Sequence, residues 1–420
     1  MKFVHCADVH LDSPLRGLDS YDGAPVEQLR GATRRAFENL IDLCIEEKVS
    51  FLLLAGDLYD GDWPDFNTGL YFAKQMARLD AAAIRVALIR GNHDATSRIT
   101  KRLQHPGNVH CFGDRKPETH LWEDLQVAVH GQSFGSSDMT DNLAVNFPNP
   151  VKGWLNLGLL HTALDGREGH DPYAPCSIAQ LMARGYDYWA LGHVHKCEIL
   201  AEDPWIVFSG CLQGRHIREL GPKGCYLVSV EDHKVQTVEF RELDVLRWAR
   251  VNVDVSGVER PEQILAIVSA EFERAKRVAT GRLLAIRVGI SGQTSLHEAL
   301  TREPEAYTQQ IRAVGIEAGR GDIWIERVVL GTSPQVSEEN QRARDDGIGE
   351  LLRAIEDVLG DELVLADIQS HMAHLIDKLP AEVRSAGELA DSGDNHHVRA
   401  LVARAQSLLL ARLANEEERS

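Results

Sequence analysis

No stretch of this 420-residue sequence is apolar for long enough to span a bilayer, which excludes a membrane-crossing helix as its organising element. Cysteine is sparse: seven residues, at 6, 44, 111, 176, 197, 211 and 225, an odd number with no Cys-x-x-Cys pair. That spacing fits reduced thiols in a cytosolic enzyme better than a disulfide framework or a structural zinc site. A Gly-x-x-x-x-Gly-Lys-Ser/Thr loop is missing, so any ATP dependence must come from elsewhere. No internal repeat or low-complexity tract is evident. Basic residues are the scarcer charge, 45 against 63 acidic, for a net charge of −18. That balance at first argues against nucleic acid, because phosphate binding is dominated by Lys and Arg. Position changes the inference. Residues 1–240 hold 23 basic and 32 acidic residues, 241–334 hold 13 and 13, and 335–420 hold 9 and 18. Half of the net charge therefore sits in the last 86 residues, and net charge does not exclude a DNA substrate.

What is present is ordinary globular composition, 44% hydrophobic and 26% charged, in a length that accommodates two or three domains. Met1-Lys2 runs straight into a strand-like stretch, so the expectation is a cytoplasmic protein with no room for a signal peptide.

The most informative stretch is Tyr188-Trp189-Ala190-Leu191-Gly192-His193-Val194-His195, an apolar run that ends in a glycine and then offers two imidazoles. Gly192 is expected to allow an abrupt turn from strand to loop, and imidazoles at i and i+2 of extended chain can reach one site or two adjacent metals. Alone, the pair is as readily a coincidence among eighteen histidines. Four other strand-like runs end the same way. Phe3 to Ala7 leads to Asp8-Val9-His10, Phe51 to Ala55 to Gly56-Asp57-Leu58-Tyr59-Asp60, Val86 to Ile89 through Arg90 to Gly91-Asn92-His93-Asp94, and Leu157 to Leu160 to His161. Five strand ends carrying N and O ligands make accident improbable.

Between these runs lie helical patterns. Phe37, Leu40, Ile41, Cys44 and Ile45 mark one core face within Val26 to Lys48, and Thr68 to Leu79 is a second helical run. Strand, ligand, helix, strand, ligand is an α/β alternation with its chemistry at the carboxyl ends of the strands. Leu11 to Leu18 and the polar Ser133 to Pro150 read as loops, Ser177 to Arg184 as a helix, and Cys225 to Val230 with Val235 to Phe240 as a closing hairpin. The predicted domains are 1–243 for the ligand-bearing part, 244–334 for a small α/β domain with a helix from Pro261 to Val278, and 335–420 for an acidic helical segment. In that last segment Ile348, Leu351, Leu352, Ile355 and Leu359 form one apolar stripe and Leu401, Leu408, Leu409 and Leu413 another. It is either a helical appendage on its own chain or a docking surface for a partner's helices.

Carboxylates, imidazoles and one amide suit two borderline cations such as Mn, Fe or Zn, where a pure oxygen set favours Mg or Ca. Asp57, presented at a glycine turn, is the natural bridge. Two ions about 3.5–4 Å apart acidify water and clamp a phosphoryl group for in-line attack, so phosphoester hydrolysis is the expected reaction. Asn92 offers its side-chain oxygen to a metal. His93, next to it in an extended loop, then points elsewhere, free to protonate the leaving oxygen or stabilise the transition-state charge, and Asp94 is expected to orient its ring. Arg90, Arg98, Lys101 and Arg102, and further on Arg215 and Arg218, are read either as a solvated surface or as phosphate-backbone contacts.

The ordered set Asp-x-His, Gly-Asp-x-x-Asp, Gly-Asn-His-Asp, His and Gly-His-x-His, spanning roughly residues 3–195, resembles the calcineurin-like metallophosphoesterase superfamily. The Asp8 to Pro14 stretch and the small domain after 245 are similar to the SbcD-type bacterial DNA repair exonucleases, in particular their YhaO-like branch. The resemblance implies a metallophosphoesterase α/β/β/α sandwich with a small α/β capping domain and a C-terminal helical segment. It implies that Asp8, His10, Asp57 and His195 bind one manganese ion and Asp57, Asn92, His161 and His193 another, with His93 catalytic. It further implies a nuclease acting on DNA ends or single strands, a homodimer, and an SMC-like, SbcC-type ATPase partner docking on the region after Ser337. Asp60 stands where several such nucleases carry a second catalytic histidine, which leaves cleavage polarity open. Two rival readings remain at this point: a phosphodiesterase for a small nucleotide, and a DNA-end-binding scaffold.

Overall fold

The computed structural model describes residues 1–13, 31–60, 66–96, 106–164, 173–335 and 347–376, with a few helical positions between 398 and 409. The chain divides into two compact units, Met1–Ala249 with Arg282–Leu284, and Arg250–Gly281 with the chain from Ala285 onward.

The first unit is built on two six-stranded sheets. One holds β1 (Lys2–Cys6), β2 (Phe51–Ala55), β3 (Arg85–Ile89) and β4 (Val109–Cys111), with β11 (Gly224–Glu231) and β12 (Lys234–Glu242) on its other side in the order β12-β11-β1-β2-β3-β4. The other runs β5-β6-β7-β8-β10-β9, from β5 (Glu118–Trp122), β6 (Val127–Gly131), β7 (Leu155–His161), β8 (Tyr188–Gly192), β9 (Glu198–Glu202) and β10 (Trp205–Phe208). The strands that lead to the expected ligands are parallel within their sheets: β1 to β2, β2 to β3, and β7 to β8.

Helix α1 (Ala32–Glu46) and helix α2 (Phe66–Ala81) cover the first sheet. The alternation of β2 explains why all five of its residues are buried. Leu52 and Leu54 meet Phe37, Leu40, Ile41, Phe72 and Met76 of the helices. Phe51, Leu53 and Ala55 meet Val129, Leu155, Leu157 and Tyr188 of the facing sheet. The outer face of the second sheet buries Leu160, Trp189, Leu191 and Ile206 against Phe147 and Leu181. Helix, sheet, sheet and helical cover make the four layers of the sandwich expected from the sequence.

Several elements differ from the sequence reading. Residues Asn92–Thr96 form a short helix, α3, where an extended loop was expected. The Ser133 to Pro150 loop contains a 3-10 turn at Leu143–Asn146 and buries Phe134, Leu143 and Phe147. Strands β5 and β9 were not read, because Glu118-Thr119-His120-Leu121-Trp122 and Glu198-Ile199-Leu200-Ala201-Glu202 are edge strands whose polar residues mask the alternation. Of the Val26 to Lys48 helix, the part before 31 lies outside the described residues.

A third sheet, of β13 (Leu246–Asp254), β14 (Leu283–Thr294) and β15 (Ile323–Pro334), begins its first two strands in the first unit and otherwise belongs to the second, together with helices Pro261–Ala279 and Pro304–Gly319. Pro261 takes the first helical turn as its fixed φ favours. Ile264, Val268, Phe272, Ile286, Val288 and Ile311 are buried in this unit. Helix Gly347–Gly360 carries the first expected stripe, with Leu352 buried, and helix Glu362–Ile376 follows, with Leu365 buried. Leu408 and Leu413 of the second stripe lie outside the described residues. Among the described residues no helix is long and apolar enough to cross a membrane.

Candidate metal centre

Because the ligand-bearing strands run parallel, their carboxyl ends deliver their loops to one edge of the sandwich. The loops are tied to each other by main-chain bonds: Asp8 N–H donates to Gly56 O (3.0 Å), His10 N–H to Asp57 O (3.0 Å) and Leu11 N–H to Leu58 O (2.8 Å). Asp8, His10 and Asp57 are held at φ 50°, 46° and 52°, and His193 at 95°. Left-handed backbone at non-glycine residues is unfavourable and persists where the surroundings over-determine it.

Two glycines are required by close approach. A Cβ on Gly91 would lie 2.2 Å from Asp57 Oδ1 and 2.7 Å from His161 Cε1, and one on Gly192 would lie 2.0 Å from Ala55 O. Gly192 thus serves packing between the two sheets, and the left-handed residue that turns the chain there is His193.

The side chains converge in two overlapping groups. In one, Asp8, His10 and His195 bring ligand atoms within 4.8 Å of one another. His10 Nε2 and His195 Nε2 face each other at 3.3 Å, and His195 Nε2 is 4.0 Å from Asp8 Oδ1. In the other, Asp8, Asp57 and His161 do the same. His161 donates Nδ1–H to Ala55 O (2.9 Å), which turns Nε2 toward Asn92 Oδ1 (3.0 Å) and Asp57 Oδ2 (3.5 Å). Asp57 Oδ2 also lies 3.9 Å from His10 Nε2, so its carboxylate stands between the groups. His193 packs its ring 5.2 Å from that of His161 and donates its main-chain N–H to both oxygens of Asp8 (3.1 and 3.0 Å). The seven expected ligands are therefore gathered at one place, and His193 and His195 part toward different groups.

These residues fit divalent cations. Asp8, His10, Asp57 and His161 are at most 1% exposed, and buried carboxylates need compensating positive charge. His10 turns Nδ1 toward Asp60 Oδ1 (3.7 Å) and Nε2 into the cluster, toward His195 and Asp57. Burial pushes the Asp8 carboxyl up to about 6, against the pull of His195 and His161. Burial also raises Asp57, but the charge and hydrogen bond of His161, with His10 and His93, outweigh it and hold that carboxyl well below the carboxylate range. Burial pushes His10 down to about 3, keeping it the neutral imidazole that metal ligation requires. His161 is the reverse: burial lowers it, but the charge and hydrogen bond of Asp57, with the charge of Asp8, lift it to about 9.

His93 borders this cluster, its ring 5.0 Å from that of His10 and its main-chain N–H on Asp57 Oδ1 (3.0 Å). The orienting role expected of Asp94 falls to Asp60, whose Oδ1 is 2.9 Å from His93 Nδ1. Asp60 Oδ2 in turn accepts from Ser13 Oγ (2.6 Å). Burial lowers His93, but the Asp60 hydrogen bond and the charges of Asp57 and Asp60 more than reverse it, so the imidazolium is favoured. Asp94 is a loop fastener: its carboxylate accepts main-chain N–H groups of Leu58 (3.0 Å), Tyr59 (2.8 Å) and Gly91 (3.1 Å). Helix α3, rather than extended alternation, swings His93 away from Asn92.

Of the expected phosphate contacts, Arg215 reaches this site, with Nη1 3.2 Å from Ser13 Oγ and 3.7 Å from Asp60 Oδ2. Arg218 is exposed three residues on, and Arg90 is paired with Asp114 (2.9 Å). Arg98 and Arg102 lie outside the described residues. The sequence reading missed Glu219, which meets His195 Nδ1 at 2.6 Å, because a carboxylate 24 residues from its partner leaves no local signal.

The family profile described as calcineurin-like phosphoesterase matches residues 1–197, and that of the middle domain of metallophosphoesterase YhaO matches 248–333. The uncharacterized metallophosphoesterase YhaO of Bacillus subtilis is 33% identical over 296 residues, covering 70% of this chain and 72% of its own. The DNA double-strand break repair protein Mre11 of Methanopyrus kandleri is 26% identical over 353 residues, covering 76% and 68%. A dimetal phosphatase from Danio rerio aligns over 57% of this chain and 99% of its own at 10% identity and a TM-score of 0.34, a likeness too slight to argue from. On the first relative and the matched profiles, this chain belongs to the calcineurin-like metallophosphoesterases, metal-dependent hydrolases of phosphoester bonds.

Proposed function

We propose that the protein is a manganese-dependent DNA nuclease that hydrolyses phosphodiester bonds at DNA ends or in single strands during repair. The observation that carries the reading is His93, oriented by Asp60 beside the two ligand groups and, with its side chain 40% exposed, open to a phosphodiester from solvent. Asp8, His10, Asp57, Asn92, His161, His193 and His195 would hold two divalent cations, which would supply Lewis acidity and an activated water for in-line attack. The N/O donor set suits manganese. His93, favoured as imidazolium by Asp60, donates its proton to the departing oxygen. Arg215 and Arg218 stand on the loop after β10, where cations can contact flanking phosphates. The repair role is supported by the similarity to the Methanopyrus DNA double-strand break repair protein.

In this reading DNA is the substrate and the protein works as a homodimer. An SMC-like, SbcC-type ATPase docks on the helices from Gly347, where Leu363 is 83% exposed. The test is cleavage of end-labelled single- and double-stranded DNA with Mn2+ and with EDTA, beside Asp57→Ala. Mn-dependent cleavage lost in the variant supports the nuclease. Intact DNA alongside turnover of bis-p-nitrophenyl phosphate overturns it and leaves a small-substrate phosphodiesterase.

A further inference from the structure

His195 is gripped at both ends of its residue. Its carbonyl accepts from Cys211 N–H (3.3 Å) and Lys223 Nζ (3.2 Å), and its ring Nδ1 meets Glu219 Oε1 at 2.6 Å. Glu219 is 5% exposed, so its carboxylate is removed from water and must be fully partnered. It is: Oε2 accepts the main-chain N–H of Arg215 (2.6 Å), and Oε1 is also 3.6 Å from Arg215 Nη2 and from His216 Nε2. A turn closed by Glu219 N–H on His216 O (2.9 Å) brings the carboxylate back over the loop.

A carboxylate can only accept, so the ring nitrogen facing it must carry the proton. We propose that Glu219 is a positioning residue for the metal centre: it fixes His195 as the Nδ1–H tautomer, leaving Nε2 to be offered, beside Asp8 and His10, to a divalent cation. The inference rests on reading that cluster as a cation site. Such outer carboxylates orient the ring and raise its basicity, and their loss weakens metal binding by roughly 10- to 100-fold. The same loop reaches the other half of the site, since Arg215 touches Ser13, Ser13 touches Asp60, and Asp60 holds His93.

Glutamine at this position separates positioning from plain packing. Its shape matches glutamate, but one end of its amide donates. If its oxygen keeps the Arg215 N–H, its NH2 faces His195 Nδ1 and forces the proton onto Nε2, where it blocks the metal. The reverse placement would set the Arg215 N–H against a donor at 2.6 Å, and that main-chain proton cannot move, so the amide takes the first placement. The experiment is calorimetric titration of the metal-stripped full chain with Mn2+, for wild type, Glu219→Gln and Glu219→Ala, with thermal unfolding of each stripped protein. Wild type binds two equivalents. In Glu219→Gln, one equivalent weakens roughly 10- to 100-fold while the other holds and the unfolding temperature stays near wild type, and saturating Mn2+ restores kcat. Native affinity for both equivalents in Glu219→Gln overturns the proposal and leaves the metal reading intact. A wild type that binds no Mn2+ overturns both. Glutamine, being isosteric, carries the test if Glu219→Ala fails to fold.

Discussion

Replacing Asp60 with asparagine removes the negative charge that faces His93 Nδ1 at 2.9 Å while keeping the side chain's volume. A hydrogen bond to a charged group contributes about 1.5–3 kcal/mol, which at about 1.4 kcal/mol per decade is roughly 10- to 150-fold in rate if the imidazolium acts in the transition state. The His93 side chain is 40% exposed and that of Asp60 20%, so solvent screening places the loss near the lower end, about tenfold in kcat. The sign of the pH effect follows from the same contact. Asp60 raises the pKa of His93, and catalysis by its protonated form falls as pH rises through that pKa. Asp60→Asn therefore moves the alkaline limb of the kcat profile to lower pH. The assay is hydrolysis of bis-p-nitrophenyl phosphate at saturating Mn2+ across pH 5.5 to about 9.5, for wild type, Asp60→Asn, His93→Ala and the double variant. If Asp60 acts through His93, it adds no loss to His93→Ala, because the coupling energy cancels the single effect. A full additional tenfold loss in the double variant, or an unmoved alkaline limb, would refute the pairing.

The remaining expectations are equally direct. His93→Ala should retain both metal equivalents in calorimetry and lose roughly 10²- to 10⁴-fold in kcat, the range for a general acid; unchanged turnover would remove His93 from the mechanism. Gly91→Ala should abolish Mn2+ binding, because its Cβ would stand 2.2 Å from Asp57 Oδ1; native stoichiometry would mean that the loop yields at little cost. His5 is buried between the sheets, its Nε2 donating to Leu191 O (3.2 Å) and its Nδ1 accepting from Tyr188 Oη (3.0 Å), and burial pushes it down to about 3. The unfolded chain protonates this residue below about 6.5 while the native one does not, so its contribution is complete above that pH and is lost as pH falls toward 3, at up to about 1.4 kcal/mol per unit. Urea titrations should show a shallower acid-side decline in His5→Gln than in wild type, and parallel curves would count against a neutral buried imidazole.

The sandwich was legible because both faces of its central strands are covered. Phe51 to Ala55 and Tyr188 to Gly192 read as unbroken apolar runs, and each ends at a ligand. The metal cluster was legible for the same reason, since the parallel order of β1, β2 and β3 carries Asp8, Asp57 and Asn92 to one edge whatever the loops do. The partners of those ligands were not. Glu219 and Ser13 reach their places only through tertiary folding, and the loop after β10 announced itself by arginines that turned out to serve it partly as internal ties. The role of His93's neighbour was misplaced by one assumption about backbone. An extended loop puts Asp94 within reach of that ring, but the helix starting at Asn92 carries its carboxylate under the loop instead.

That displacement clarifies what the carboxylates at this edge do. Asp8, Asp57 and Asp94 all accept main-chain N–H groups from loops other than their own: His193 for Asp8, His93 for Asp57, Leu58 and Tyr59 for Asp94. Left-handed residues at Asp8, His10, Asp57 and His193 cost on the order of 1–3 kcal/mol each, and such geometry persists only when something outside the residue fixes it. The cross-loop carboxylates are that constraint. Asp94 is pushed up to about 7 by burial and by Asp57, even though three N–H donors favour its charged form. Its two oxygens tie Leu58 and Tyr59 of the Asp57 loop to Gly91 of the Asn92 loop. Ligand geometry and loop stability are thus set by the same oxygen atoms, so the centre depends on Asp94 although that residue faces the main chain and not the metal cluster.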